Sequence, residues 1–338
     1  MPELRTLARD CIHELIVCPN CKERMQWGVD QVLCPTCLRR FPVVDGIPVL
    51  LLEQELAQHD ELEHISEHEH KLRQSVYFDR TELAEFETTR PRNAPRLYRW
   101  LLLEKSRRSV SGIEPLAGNL VLTVCGGSGM DADFLAERGS EVIASDISLG
   151  AALRCRERAW RFGLRITSIV ADVENLPFQD KSIDIVYVHD GLHHLRRPLN
   201  GLDEMTRVAS SWVSITEPAK ARVTAFAVRL GLAKEYEEAG NRVRRLSASE
   251  LGDMLRSRGF AAVHTSRYAM YYPHKPGAIF AALSRPAIFP LVKWLWRAGN
   301  LCLGRFGNKL TVVATRVQAG AATDLLATRA TPTAEEAR

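Results

Sequence analysis

The chain has 338 residues, with 45 Lys and Arg against 41 Asp and Glu for a formal net charge of +4. At about 150 residues per domain this length predicts two units, one of them enzyme-sized. Hydrophobic residues at 46% and charged residues at 25% exclude a wholly disordered chain, a collagen-like chain and a disulfide miniprotein. The first ten residues carry Glu3, Arg5, Arg9 and Asp10, so they lack the apolar centre of a secretory signal. No segment offers about 18 uninterrupted apolar residues for a membrane span. The expectation is a cytoplasmic protein whose cysteines stay reduced unless a metal holds them.

Five of the eight cysteines fall within the first 37 residues. Cys18-Pro-Asn-Cys21 and Cys34-Pro-Thr-Cys37 are two CxxC turns twelve residues apart, each aiming two sulfurs at one point. That spacing predicts a structural zinc site of four thiolates, closed to substrate. A redox dithiol would come as a single CxxC beside a βαβ unit. A unit of about 50 residues buries little core, so the metal would supply its folding free energy. The run CPTCLRRFPVVDGIPVLLL over 34–52 resembles the small zinc-ribbon family that includes the activator subunit of eukaryotic tRNA and protein methyltransferases. The resemblance implies a ribbon over 1–52 and a methyltransferase downstream.

A helical linker is expected over 53–117. Residues 53–70 hold seven acids, four histidines and no Lys or Arg, whereas 90–108 hold seven Lys and Arg against Glu104 alone. The first stretch reads as a solvated helix or linker and the second as a basic amphipathic helix. His64 and His68 have a metal-compatible spacing, but the glutamates around them make a solvated acidic face the better reading.

From Asn119 onward, β-rich runs alternate with helical patterns, which predicts α/β architecture with a mainly parallel sheet. Strands are expected at 120–125, 141–145, 166–170, 183–189, 212–216, 261–268 and 310–315, a seven-stranded Rossmann-like sheet within 118–317. Helices are expected at 130–138 and 149–162, stopped by Gly139 and Gly163, and another after the capping-box pattern Ser247-Ala-Ser-Glu250. Between Asp253 and Asp324 there is no acid but ten Lys and Arg, and an insertion at about 273–307 separates the last two strands. Residues 318–338 lack any apolar period and are expected to be disordered.

The run Leu120-Val-Leu-Thr-Val-Cys-Gly-Gly-Ser-Gly129 is a strand opening into a glycine-rich turn whose backbone can approach a ligand closely. Asp146, nineteen residues after Gly127, stands where an acid accepts hydrogen bonds from the ribose hydroxyls of an adenosine. With Ala171-Asp172-Val173-Glu-Asn-Leu-Pro-Phe178 and Asp184-Ile-Val-Tyr-Val-His-Asp-Gly-Leu-His-His194, these runs resemble a class I S-adenosylmethionine-dependent methyltransferase of the small-molecule and lipid-directed group. The resemblance implies S-adenosylmethionine as cofactor, held by Cys125, Gly127, Gly129, Asp146, Ile147, Asp172, Val173 and His189. It implies that Asp172 contacts the adenine amino group and that Val173 covers the ring. Two positions depart from the family: its first-strand acid is Thr123 here, and its first loop glycine is Cys125. Asp131 or Asp133 can stand in for the missing acid at the cofactor's ammonium group.

A base for the acceptor proton should sit at the strand ends, where Asp190, His193 and His194 are the candidates and Glu217 ranks second. The chain lacks an Asn/Asp-Pro-Pro-aromatic motif after the fourth strand and a Pro-Cys nucleophile. Their absence favours oxygen on a small-molecule, lipid-linked or glycan acceptor. Trp294, Trp296, Lys293, Arg297 and Arg305 make 277–306 resemble an interfacial segment in peripheral contact with a membrane. The alternative is a helical cap with its cations in solvent. Arg154, Arg156, Arg158, Arg161 and Arg165, with the 90–108 stretch, could bind phosphates, so an RNA methyltransferase is the runner-up, although the modest net charge disfavours nucleic acid. A non-catalytic binding module is the third reading, from Thr123 and Cys125.

Overall fold

The computed structural model describes residues 9–52, 67–79, 83–220 and 245–317. His64, most of the acidic stretch and the expected disordered tail lie outside the described residues. Helix α1 (Arg9–Leu15) leads into four short strands, β1 (Gln26–Trp27), β2 (Gln31–Leu33), β3 (Arg40–Val44) and β4 (Ile47–Leu50), paired antiparallel in sequence order. Helices α2 (Glu67–Asp79), α3 (Ala84–Thr89) and α4 (Arg96–Ser109) follow. Pro95 opens α4, since proline fits a helix start but not its interior.

All seven expected strands form: β5 (Leu120–Val124), β6 (Glu141–Asp146), β7 (Ile166–Ala171), β8 (Ile183–His189), β9 (Ala209–Pro218), β10 (Phe260–Tyr268) and β11 (Lys309–Arg316). Their order is β7-β6-β5-β8-β9-β11-β10, parallel except for β11, which runs against both its neighbours. Helix α5 (Met130–Ala136) links β5 to β6, α6 (Leu149–Phe162) links β6 to β7, and α7 (Pro198–Val208) links β8 to β9. Ser148 caps α6 by accepting from Ala151 N, and Gly163 ends it at φ 63°, a left-handed stop that glycine takes without strain. The expected capping box at Ser247 and Glu250 opens α8 (Ala248–Ser257). Helices α9 (Ala278–Leu283) and α10 (Phe289–Leu303) fill the insertion between β10 and β11.

The expectation of a seven-stranded sheet needs correction, because the sheet has eleven strands. Strand β4 pairs parallel with β7, Val49 opposite Val170 and Leu50 opposite Ala171, and a bridge between Ile16 and Phe178 adds a second seam. The physical reason is the open edge of β7: its unpaired amides and carbonyls need partners, and the apolar run Ile47–Leu50 supplies them while burying its own side chains. Cys18, Val32, Cys34, Phe41 and Leu50 therefore share one core with Leu122, Val186 and Val213 of the central sheet.

The arginines of α6 also read differently in three dimensions. Arg158 is fully buried and donates to Asp133 Oδ2 and to the carbonyls of Ser128, Arg90 and Glu87. Arg154 donates to Ser128 Oγ and the Phe78 carbonyl, Arg161 to Glu85 and Glu157, and Arg165 pairs with Glu141. Arg156 reaches the Asp45 carbonyl. The row that could have bound phosphates instead ties α6 to α2, α3 and the turn between β3 and β4.

Candidate functional site

The candidate site lies at the carboxyl edge of the parallel strands, where the order reverses between β5 and β8 and opens a crevice. Cys125, Gly127 and Gly129 in the turn after β5 all have positive φ, at 51°, 53° and 79°. A side chain at Gly127 would meet nothing within 4 Å, so the space over it is open. A Cβ on Gly129 would fall 2.4 Å from Cys155 Sγ, so this glycine serves the approach of α5 to α6. Burial and the Asp146 carboxylate push the Cys125 thiol well above its ordinary value, which keeps it a neutral wall rather than a nucleophile.

Asp146 ends β6 with its carboxylate against this turn. Its Oδ2 accepts from Gly127 N at 2.8 Å and its Oδ1 from Ser148 N at 2.9 Å. Each oxygen keeps acceptor capacity for one more donor, which suits two neighbouring hydroxyls. Burial pushes the Asp146 carboxyl up, against the pull of those two amides. The carbonyl of Ile147 accepts from Ser75 Oγ at 3.3 Å. Thr123 Oγ1 is buried with no hydrogen-bond partner among the described residues, as expected of a group facing a ligand position.

Helix α2 lies across this crevice. Asp79 Oδ1 accepts from Ser148 Oγ at 2.7 Å and Gly150 N at 2.8 Å, and His70 Nε2 lies 2.9 Å from the His194 carbonyl. Lys71 Nζ stands 2.7 Å from both Asp172 Oδ2 and Glu174 Oε2. Asp172 also caps the turn Val173–Asn175 by accepting from Glu174 N at 2.9 Å. The carboxylate expected to meet adenine thus already holds a cation from α2, which any adenine amino group must share or displace. Val173 packs into the core beside it. Lys71 escaped the sequence reading, since nothing in its neighbourhood marks it apart from other surface lysines.

The other half of the site gathers around the ends of β8 and β9. Glu217 is fully buried. Its Oε1 accepts from Gly191 N at 2.9 Å and Leu192 N at 2.7 Å, while Oε2 lies 2.7 Å from His193 Nδ1. An ionised carboxylate only accepts, so in this contact His193 donates from Nδ1. The His194 ring stands edge-on to Phe78 at 5.6 Å and tilted against His193 at 4.3 Å. Asp190 pairs with Lys309 at the start of β11, accepts from the Tyr272 hydroxyl at 3.4 Å, and lies 3.3 Å from His189 Nε2. Burial would raise the Asp190 carboxyl, but Lys309 and His189 pull it well below the usual range. Burial and the nearby Lys105 lower His189.

Lys105 projects from α4 into the same space, with only 1% of its surface exposed. Its Nζ lies 3.5 Å from Asp131 Oδ1, which the Tyr187 hydroxyl also approaches at 3.5 Å. Burial lowers Lys105, and Asp131 and Asp190 oppose that shift. Asp133, the other candidate acid, is held by Arg158 at 3.0 Å and Arg92 at 2.6 Å, so it braces helices and does not face the crevice alone. Tyr98 stands edge-on to Tyr272 at 6.0 Å and to Phe280 at 6.3 Å, which gives the Asp190 side an aromatic wall. Sequence reasoning missed Lys105, Tyr272 and Lys309 because they converge from segments far apart in the chain.

Near the N-terminus, Cys18, Cys21, Cys34 and Cys37 bring their sulfurs within 4.8 Å of one another, with Cys18 to Cys37 at 3.6 Å and Cys21 to Cys34 at 3.4 Å. A disulfide would bring sulfurs to about 2.0 Å. A tetrahedral metal with bonds of about 2.3 Å would hold them about 3.8 Å apart, so the cluster fits an ion of that kind.

Residues 122–211 match the family described as Methyltransferase domain. Among curated proteins the chain is similar to demethylmenaquinone methyltransferase of Clavibacter sepedonicus, 36% identical over 96 residues, covering 28% of this chain and 39% of that protein. The Thermobifida fusca protein of the same name is 33% identical over 103 residues, covering 30% and 43%. The chain thus spans about two fifths of the length of the curated relatives it matches. Among solved structures, magnesium protoporphyrin IX methyltransferase from Synechocystis PCC 6803 with bound SAH aligns over 72% of this chain and 97% of its own, at 16% identity and a TM-score of 0.48.

Proposed function

We propose that this protein is an S-adenosylmethionine-dependent methyltransferase acting on oxygen of an apolar small-molecule or lipid-linked acceptor. The observation that carries the reading is the glycine turn closed on Asp146 through Gly127 N, inside the segment that matches the methyltransferase domain. The relatives' names favour a small molecule, and the wall of Tyr98, Tyr272 and Phe280 favours an apolar one over a glycan. Arg154 and Arg158 of α6 are committed to carbonyls within the fold, which removes two of the cations on which the RNA reading drew.

When bound, S-adenosylmethionine supplies an electrophilic methyl group, so this chain's task is to position the acceptor and take up its proton. Asp146 holds the ribose hydroxyls, and open space over Gly127 leaves room for the cofactor to lie against the turn. Asp131 takes the ammonium group in place of the family's first-strand acid, since Asp133 is committed to two arginines. His193 accepts the acceptor's proton at Nε2, and Glu217 stabilises the imidazolium through Nδ1. Asp190 with Lys309 and Lys105 orients the acceptor oxygen. The four-cysteine cluster holds a structural zinc ion, and the ribbon acts as a built-in counterpart of an activator subunit by completing the β7 edge.

Calorimetric titration of S-adenosylmethionine into the wild type and Asp146→Asn tests the cofactor assignment. Binding should weaken at least about tenfold in the variant, the worth of one lost charge-assisted hydrogen bond. Wild-type affinity should also fall with acid, beginning above the ordinary carboxylate range, because ribose binding needs the Asp146 carboxylate and burial raises that group. Equal affinity of the two proteins would remove Asp146 from the site.

A further inference from the structure

Helix α10 is apolar on two sides. Phe289, Val292 and Trp296 face Trp100 and Tyr268 in one cluster, and Asn300 ties the helix to β10 through Ala269 N at 2.7 Å. Leu291, Trp294, Leu295 and Leu301 recur at the three- and four-residue spacing of one helical stripe. They sit on the other side, with 57%, 63%, 54% and 88% of their surfaces exposed. A helix apolar all round belongs in a core, yet nothing among the described residues covers this second stripe.

We propose that this stripe docks on the surface of an anionic lipid bilayer, with α10 lying in the interface plane. Charge decides between a membrane and a protein or a second copy. Arg256, Arg258, Arg297 and Lys309 pair with carboxylates, but Arg285 before α10 and Arg305 after it are exposed, and no acid lies between 254 and 323 in the sequence. A second copy would bring the same exposed arginines against these and repel them, whereas anionic headgroups complement them. Tryptophan and leucine on one side with cations at the ends is the composition that settles at headgroup depth. No helix among the described residues is long and apolar enough to cross a membrane, so the contact is peripheral.

The inner stripe gives the docking a purpose. It belongs to the cluster that contains Tyr272 and Phe280, and the Tyr272 hydroxyl donates to Asp190. The segment that meets the bilayer on one side thus walls the acceptor site on the other, so a lipid-soluble acceptor could pass between them without crossing water. This last step rests on the methyltransferase reading; the docking itself does not.

The test is co-sedimentation of the full chain with vesicles of phosphatidylcholine alone or with about 30% phosphatidylglycerol. The wild type should bind the anionic vesicles, and binding should fall at least about tenfold in Trp294→Glu/Leu295→Glu, which removes two exposed apolar anchors. Arg285→Gln and Arg305→Gln should each weaken binding about fivefold, equivalent to about 1 kcal/mol per surface charge, and about 0.5 M salt should erase that difference. S-adenosylmethionine affinity should be unchanged in every variant, so failure of docking is distinguishable from failure of the cofactor reading. Absence of wild-type binding to anionic vesicles, or equal binding by the double variant, overturns the proposal. So does a dimer in solution that the double variant dissolves without any vesicle binding.

Discussion

Cys125 stands where the resembled family has glycine, and the structure shows what makes room for it. A Cβ placed on Gly191 would lie 2.4 Å from Cys125 Cβ, 3.0 Å from its Sγ and 2.9 Å from Val188 Cγ2. Gly191 itself has an ordinary φ of −123°, so its requirement is space alone. Gly191→Ala should therefore overpack the turn by about 1–3 kcal/mol, offset by about 0.4–1 kcal/mol from the stiffer unfolded chain. Cys125→Gly relieves a left-handed backbone worth about 1–2 kcal/mol but loosens the unfolded chain, so alone it should be close to neutral. Together the two changes should recover about 1 kcal/mol or more of the Gly191→Ala loss, because two of the three close contacts vanish with the cysteine side chain. Urea unfolding of the four proteins closes the cycle. A coupling energy below about 0.5 kcal/mol, the scatter expected for independent sites, would refute the claim that the two positions are matched.

Glu217→Ala strands two buried amides and His193 Nδ1 and should destabilise the fold by about 3–6 kcal/mol. Glu217→Gln keeps a carbonyl for the amides and should cost less than half as much while removing the charge that stabilises a protonated His193; equal losses would sink that division of labour. Cys34→Ser should abolish zinc binding and lower the melting temperature of the whole chain in one calorimetric transition, because Cys18 and Cys34 belong to the core of the central sheet. A preserved main transition with a separate early one would show that the four-cysteine unit folds by itself. Stability should fall as pH drops below about 4. Glu87 is buried and Asp190 and Asp131 are half-buried, and neighbouring cations hold each below its ordinary value, so each favours folding above its unfolded pKa and loses that contribution on protonation. An acid titration of the unfolding free energy that stays flat from pH 5 to about 2 would contradict this.

The sequence by itself determined the parts whose signals are local. Strand positions, the left-handed stop at Gly163, the capping box at Ser247, the glycine turn and the paired CxxC spacing all depend on residues a few positions apart, so backbone sterics and periodicity suffice to read them. Tertiary structure decided everything that depends on convergence. Nothing local says that Ile47–Leu50 joins the edge of β7, because pairing depends on which edge is left open. The four arginines of α6 and Arg165 looked like a phosphate surface, since charge periodicity does not say what packs against a helix; the carbonyls of α2 and α3 that receive Arg154 and Arg158 become neighbours only on folding. Likewise Lys71, Lys105, Tyr272 and Lys309 come from four separated segments, and their roles follow from burial and from the carboxylates they meet. The chemistry of a residue type is written in the chain, but its charge state and its partners are set by the neighbours that the fold brings to it.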